Sequence, residues 1–249
     1  MVNLDSFNKQ INAVVVGASG GIGYALVRQL KSHPSVARVH ALTRNPDAII
    51  SEQDEKLHVL CVDILDERNL IDAAECFSDT PIDLLIVGSG MLHGEDVEPE
   101  KSLRALQSES FIDVMQINAL APMLVAKHFI PRMNRLRKAV FSVISARVGS
   151  ISDNRLGGWY SYRASKAALN MLLKTLSIEA NRTMPNLIIA GLHPGTVDTG
   201  LSKPFQRNVK PEKLFTPYQS AEYLLNVVNG LSVGQSGDIF AWDGQQIVP

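Results

Sequence analysis

Residues 12–23 read Asn-Ala-Val-Val-Val-Gly-Ala-Ser-Gly-Gly-Ile-Gly (NAVVVGASGGIG). The apolar, β-branched run Asn12–Gly17 predicts a strand covered on both faces. It breaks into glycines, and residues 22–30 then carry apolar side chains at helical spacing up to Pro34. A strand that turns on glycines into a helix gathers free backbone N–H groups and the positive end of the helix dipole at one point, which favours an anion. The glycines let the chain turn tightly and let backbone approach a pyrophosphate with no Cβ between. An ordinary glycine-rich turn has the same composition, but the place of this one, after the first strand of a βαβ chain, favours a dinucleotide. No Gly-Lys-Ser/Thr follows, which excludes an NTPase phosphate loop. Gly17, Ser19, Gly21, Ile22 and Gly23 are the candidate contacts.

Outward from this turn, short apolar strands alternate with longer helical stretches. Strands are predicted at 36–43, 57–64, 82–87, 139–145, 186–192 and 238–242. Helices are expected after Asp66 (its N-cap), over 103–130 with a kink near Pro122, over 159–180 and over 220–231. This pattern predicts right-handed crossovers and one α/β Rossmann domain spanning 1–249: a doubly wound parallel sheet of about seven strands with helices on both faces. The polar stretch Gly200–Thr216, with Pro204 and Pro211 inside and Pro217 just after, is either a substrate-covering loop or a surface connection.

Composition narrows the class. Twenty-four Lys and Arg against 25 Asp and Glu leave a charge of −1, which gives no support for a nucleic-acid partner. The apolar runs fall far short of the roughly 20 residues that span a bilayer, and the opening MVNLDSFNKQ lacks the pattern of a signal peptide. Cys61 and Cys76 are expected as buried free thiols in a cytoplasmic protein. None of the six histidines shows ligand spacing, so no metal is expected.

The end of the second strand reads Leu42-Thr43-Arg44-Asn45. A carboxylate about 20 residues beyond the glycines usually holds a ribose 2′-OH. Here Arg44 stands instead, suited to a bidentate contact with a 2′-phosphate, or else simply solvated on its loop. Asp63, with Ile64 beside it, either meets an adenine amino group or makes a turn. Tyr162 and Lys166, four apart near the start of a helix, share one face. An ammonium there is expected to lower the tyrosine pKa from its usual value near 10, giving a proton donor for carbonyl reduction or an acceptor for alcohol oxidation.

Gly17-x-x-x-Gly21-Ile22-Gly23, Asn118, Tyr162-Arg-Ala-Ser-Lys166 and Pro194-Gly-Thr-Val197-x-Thr199 stand in the order seen in the short-chain dehydrogenase/reductase family, which this chain resembles over nearly its whole length. Gly149–Tyr162 and the ending Phe240-Ala-Trp-Asp-Gly244 are most similar to the C-factor-like carbonyl reductases. The resemblance implies a nicotinamide dinucleotide as cofactor, which Arg44 makes NADP(H), and a small-molecule carbonyl or secondary alcohol as substrate. It makes Tyr162 the general acid/base, and Lys166 the group that tunes it and holds the nicotinamide ribose. Asn118 is implied to keep a water in a proton relay. Pro194, Val197 and Thr199 are implied to anchor the carboxamide, and Gly88, Ser89 and Gly90 to border the cofactor. A homodimer or homotetramer is also implied.

Two departures stand out. The family's Asn-Asn-Ala-Gly is here Val87-Gly88-Ser89-Gly90, and its Ser-Ser-x-x-Gly is here Ser145-Ala146-Arg147-Val148-Gly149. The second serine, which usually hydrogen-bonds the substrate carbonyl, has become Ala146. Ser145 or Ser150 is expected to take over, with Ser145 ahead because it sits on the strand. Without such a replacement, a cofactor-binding signalling or regulatory protein with little turnover is the alternative to an NADP-dependent oxidoreductase.

Overall fold

In a computed structural model, which describes residues 2–7 and 10–249, the glycine turn lies at the centre of the sheet. Strand β1 (Ile11–Val16) runs into helix α1 (Gly21–Ser32), followed by β2 (Val36–Thr43), β3 (Leu57–Cys61) and α2 (Glu67–Glu75). Next come β4 (Leu84–Val87), α3 (Ser108–Met115), α4 (Ala121–Phe129), β5 (Ala139–Ile144), α5 (Tyr160–Thr183) and β6 (Leu187–His193). The chain ends with β7 (Thr196–Val197), β8 (Leu214–Phe215), α6 (Pro217–Gly230), β9 (Asp238–Ala241) and β10 (Gln246–Ile247).

The main sheet has the order β10-β9-β6-β5-β4-β1-β2-β3. Seven of its strands are parallel, as the alternation predicts; β10 adds an antiparallel edge. A two-residue strand after a turn is too short to show periodicity, so β10 was not foreseen. The order reverses between β1 and β4, and open α/β sheets bind ligands at such a crevice, beyond the carboxyl ends of the strands. One face is covered by α2, α4 and α5 through Leu70, Val125, Phe129, Leu169 and Leu173. The other is covered by α1 and α6 through Leu26, Leu30, Leu224, Leu225 and Val228. Both layers bury their apolar stripes completely, which fixes the strand ends beneath the site.

Local signals account for several boundaries. Asp66 caps α2, its Oδ1 accepting from the amides of Arg68 and Asn69. Helix α6 starts three residues before the expected Ser220, because Thr216 and Gln219 form a capping box around Pro217. The expected kink near Pro122 is a π-helical turn over Gln116–Leu120, just before the proline. The cysteine expectation fails: both thiols are exposed. Cys61 ends β3, the outermost strand, and Cys76 closes α2 on its solvent side. Among the described residues no helix is long and apolar enough to cross a membrane, and no cluster of three potential metal ligands occurs.

Candidate active site

Beyond the carboxyl ends of the strands lies a cleft of two chambers, about 490 and 440 Å³. They meet at Gly20, Gly88, Ser89 and Gly90. Gly17 takes a positive φ of 76°, and a Cβ on it would meet the Ser89 amide nitrogen at 2.8 Å. A Cβ on Gly23 would meet the Gly17 carbonyl oxygen at 2.2 Å. The turn is therefore closed to side chains at both positions. The Ser89 hydroxyl, at the junction of the chambers, is buried and has no partner among the described residues.

The smaller chamber gathers Gly17, Ser19, Arg44, Asp63 and Ile64. The Ser19 and Thr43 hydroxyls lie 2.7 Å apart, bracing the turn against the end of β2. Arg44 is exposed beside them. Asp63 makes the turn foreseen as one alternative, its Oδ1 accepting from the Leu65 amide, while still lining the chamber. A glycine cradle, an orphaned hydroxyl and a free cation suit a phosphorylated dinucleotide.

The larger chamber brings together Gly21, Ile22, Gly23, Tyr162, Lys166, Pro194, Val197 and Thr199. Lys166 is buried, its ammonium donating to the Ile144 carbonyl at 2.8 Å and lying 5.7 Å from the centre of the Tyr162 ring. Burial pushes Tyr162 up to about 12 and Lys166 down to about 8. The expected lowering of the tyrosine is therefore corrected: in this pocket the cost of desolvating a phenolate decides the direction. Tyr162 holds its proton firmly, the form that carbonyl reduction consumes.

Asn118 sits in the π-turn, wholly buried behind the chamber. Its Nδ2 donates to the Met91 carbonyl at 2.7 Å and to the Ser165 hydroxyl at 3.0 Å, and its Oδ1 accepts from the Met91 amide at 2.8 Å. The side chain thus pins the loop after β4 to α5.

Ser145 lines the chamber, but its hydroxyl donates to Asn170 Oδ1 at 2.6 Å. Ala146 continues in extended conformation and packs against Tyr162 and Leu92. Ser150 is buried in the following loop, its Oγ accepting from the Asp153 amide.

Several contributors escaped the sequence reading. The carboxylate of Glu100, only 4% exposed, accepts from the Ser161 amide and hydroxyl and so caps α5 beside Tyr162. Gly157, Gly158 and Trp159 lead into that helix with consecutive positive φ angles. Trp159 meets Phe205 edge-on at 5.0 Å, and Phe205 also meets His93 at 5.8 Å. His93 Nε2 lies 3.1 and 3.2 Å from the carbonyl oxygens of Gly200 and Leu201, tying the 200–216 stretch to the loop after β4. The Glu100 contact spans 61 residues of sequence, beyond any spacing rule.

The family model for short chain dehydrogenase matches residues 11–210. An uncharacterized oxidoreductase of Schizosaccharomyces pombe is 28% identical over 253 residues, covering 94% of this chain and 96% of the relative. C-signal of Myxococcus xanthus is 33% identical over 133 residues, 53% of this chain and 74% of that protein. Among solved structures, NADPH-bound carbonyl reductase from chicken fatty liver superposes with a TM-score of 0.83 at 24% identity, covering 98% of this chain and 96% of that one.

Proposed function

Because the chain belongs to the short-chain dehydrogenase family, we propose that it is an NADPH-dependent carbonyl reductase acting on small, largely apolar aldehydes or ketones. The observation that carries this reading is the stacked pair of Tyr162 and Lys166, both buried, in a chamber continuous with the glycine cradle and Arg44. NADPH, when bound, supplies the hydride.

Arg44 would meet the 2′-phosphate, and the pyrophosphate would be received on the amides at the start of α1, since those of Gly17, Ala18 and Gly20 already donate to backbone carbonyls. Lys166, fixed by the Ile144 carbonyl, offers its remaining N–H bonds to the nicotinamide ribose. Val197 and Thr199 border the carboxamide end. Tyr162 points its protonated hydroxyl at the substrate oxygen and gives up that proton as the oxygen becomes an alcohol. Burial keeps that hydroxyl protonated at neutral pH, ready to donate. Trp159, Phe205, Leu92 and Val148 form the apolar wall and exclude water, with the 200–216 stretch acting as a cover. Ile112, Leu120, Met171 and Ile178 stand exposed on α3 to α5 and support association of two copies through that face.

The test is consumption of NADPH against a panel of aldehydes, ketones and diketones, followed by absorbance at the nicotinamide band. Turnover with at least one class, lost in Tyr162→Phe, is the expected result. Tight NADPH binding with no turnover of any carbonyl refutes it in favour of a non-catalytic cofactor-binding protein.

A further inference from the structure

The cavity holds a hydrogen-bond donor that the reaction scheme above leaves unused. A carbonyl receiving hydride needs a donor besides the proton source, and loss of one such donor typically costs 10²–10³ in rate. Ala146 has no hydroxyl to give. Ser145 spends its own on Asn170, and the Ser150 side chain lies outside the cavity wall, occupied with its own loop.

His193 ends β6, the strand next to the one that leads into this gap. The Ser145 amide donates to the Leu192 carbonyl at 2.8 Å, so Ser145 and His193 close neighbouring parallel strands at the same level. His193 lines the same chamber as Ala146 and Tyr162. Its Nδ1 is buried and without a partner among the described residues, and Nε2 makes no hydrogen bond to any of them either, which leaves Nε2 available to a ligand in the chamber that His193 lines.

Resting on the reductase reading, we propose that the His193 Nε2–H is the donor that polarises the substrate carbonyl, in place of the serine that Ala146 lacks. Burial pushes the ring down to about 4, with Arg147 acting the same way and Asp243 against it, so the imidazole is neutral at working pH. A neutral ring carries one N–H. On Nδ1 it would be a buried donor with no acceptor, a rarer and costlier arrangement than a buried lone pair. On Nε2 it is left for a ligand in the chamber. A neutral imidazole polarises a carbonyl without competing with Tyr162 to protonate it, a division of labour known from enolising enzymes. No bond to His193 forms or breaks; the hydride goes to carbon and the Tyr162 proton to oxygen.

The experiment compares His193→Phe, which keeps a ring and loses the donor, with His193→Gln, which keeps an amide N–H at similar reach. The probe is 1-phenyl-1,2-propanedione with NADPH, alongside thermal melting and NADPH fluorescence titration. His193→Phe is expected to lower kcat about 10²-fold with NADPH affinity unchanged. His193→Gln is expected to stay within about tenfold of wild type, and adding Ala146→Ser to His193→Phe to recover most of the loss. The proposal is overturned if His193→Phe keeps wild-type kcat while Tyr162→Phe is inactive, an outcome that leaves the reductase reading standing. It is equally overturned if the Phe and Gln variants fail alike and Ala146→Ser recovers nothing, which makes His193 a packing residue. If wild type turns over no carbonyl in the panel, the reductase reading falls and this proposal with it.

Discussion

Replacing Arg44 with alanine should separate the two nicotinamide cofactors. Arg44 is exposed at the end of β2, in the chamber that also holds Ser19 and Asp63. No acidic side chain among the described residues makes a salt bridge with it, so its guanidinium is available to a ligand. A charged hydrogen bond contributes about 1.5–3 kcal/mol, and exposure places this one near the lower end. About 1.5–2 kcal/mol corresponds to roughly a 10- to 30-fold loss of affinity. Arg44→Ala should therefore weaken NADPH by that factor and leave NADH within about twofold. Arg44→Lys, which keeps the charge but not the fork, should fall between. Because the contact is between exposed charges, the wild-type preference for NADPH should shrink as salt is raised, and the alanine variant should show little such dependence. Fluorescence titration of the reduced cofactors at two ionic strengths measures all of this. Equal weakening of NADPH and NADH, or a wild-type preference for NADH, refutes the assignment of Arg44 to the 2′-phosphate.

Tyr162→Phe should abolish turnover while NADPH affinity, measured by the same titration, stays normal; Lys166→Met should damage both, since the ammonium serves tyrosine and ribose. The pH profile of kcat/KM for reduction should be level below about pH 8 and fall above it. Lys166 is charged below its lowered pKa of about 8 and loses its proton as the pH rises through it, whereas Tyr162, near 12, stays protonated throughout. A profile rising across pH 8 contradicts this. Asp83→Ala should cost roughly 3 kcal/mol in denaturant unfolding, the low end for breaking a buried charge pair because Arg137 remains partly hydrated. Asp83 accepts from Arg137 Nε and Nη2, from Asn134 Nδ2 and from the Asn12 amide, all at 2.9–3.0 Å, and so joins the starts of β1, β4 and β5. A loss under 1 kcal/mol refutes that role.

What the sequence made legible is what depends on local spacing. The β1 turn, the Asp66 cap and the Tyr162–Lys166 face each follow from neighbours within a few residues, and the structure reproduces them. Alternating strands and helices sufficed for seven parallel strands, because a strand buried on both faces leaves a continuous apolar run. The exposed thiols were missed for a different reason. Cys61 lies on an edge strand, and nothing in Leu57–Cys61 says that β3 is outermost; the strand order is set by packing across the whole sheet. The direction of the Tyr162 shift was missed because a lysine four residues away reads as a nearby charge. Spacing does not reveal that both groups lie out of water. Glu100 became visible only with its contact to Ser161, and the surroundings of His193 only with the chamber it lines.

The departure at Val87-Gly88-Ser89-Gly90 has a physical account in the same terms. Here the β1 turn and the loop after β4 meet backbone to backbone, with the Ser89 nitrogen and the Gly88 carbon standing where a Gly17 side chain would begin. Bracing is supplied further along the same loop. Met91 holds Asn118 through its amide and carbonyl, His93 reaches the carbonyls of the 200–216 stretch, and Glu100 caps α5 at Ser161. One loop thereby fixes the π-turn, the cover and the start of the helix that carries Tyr162.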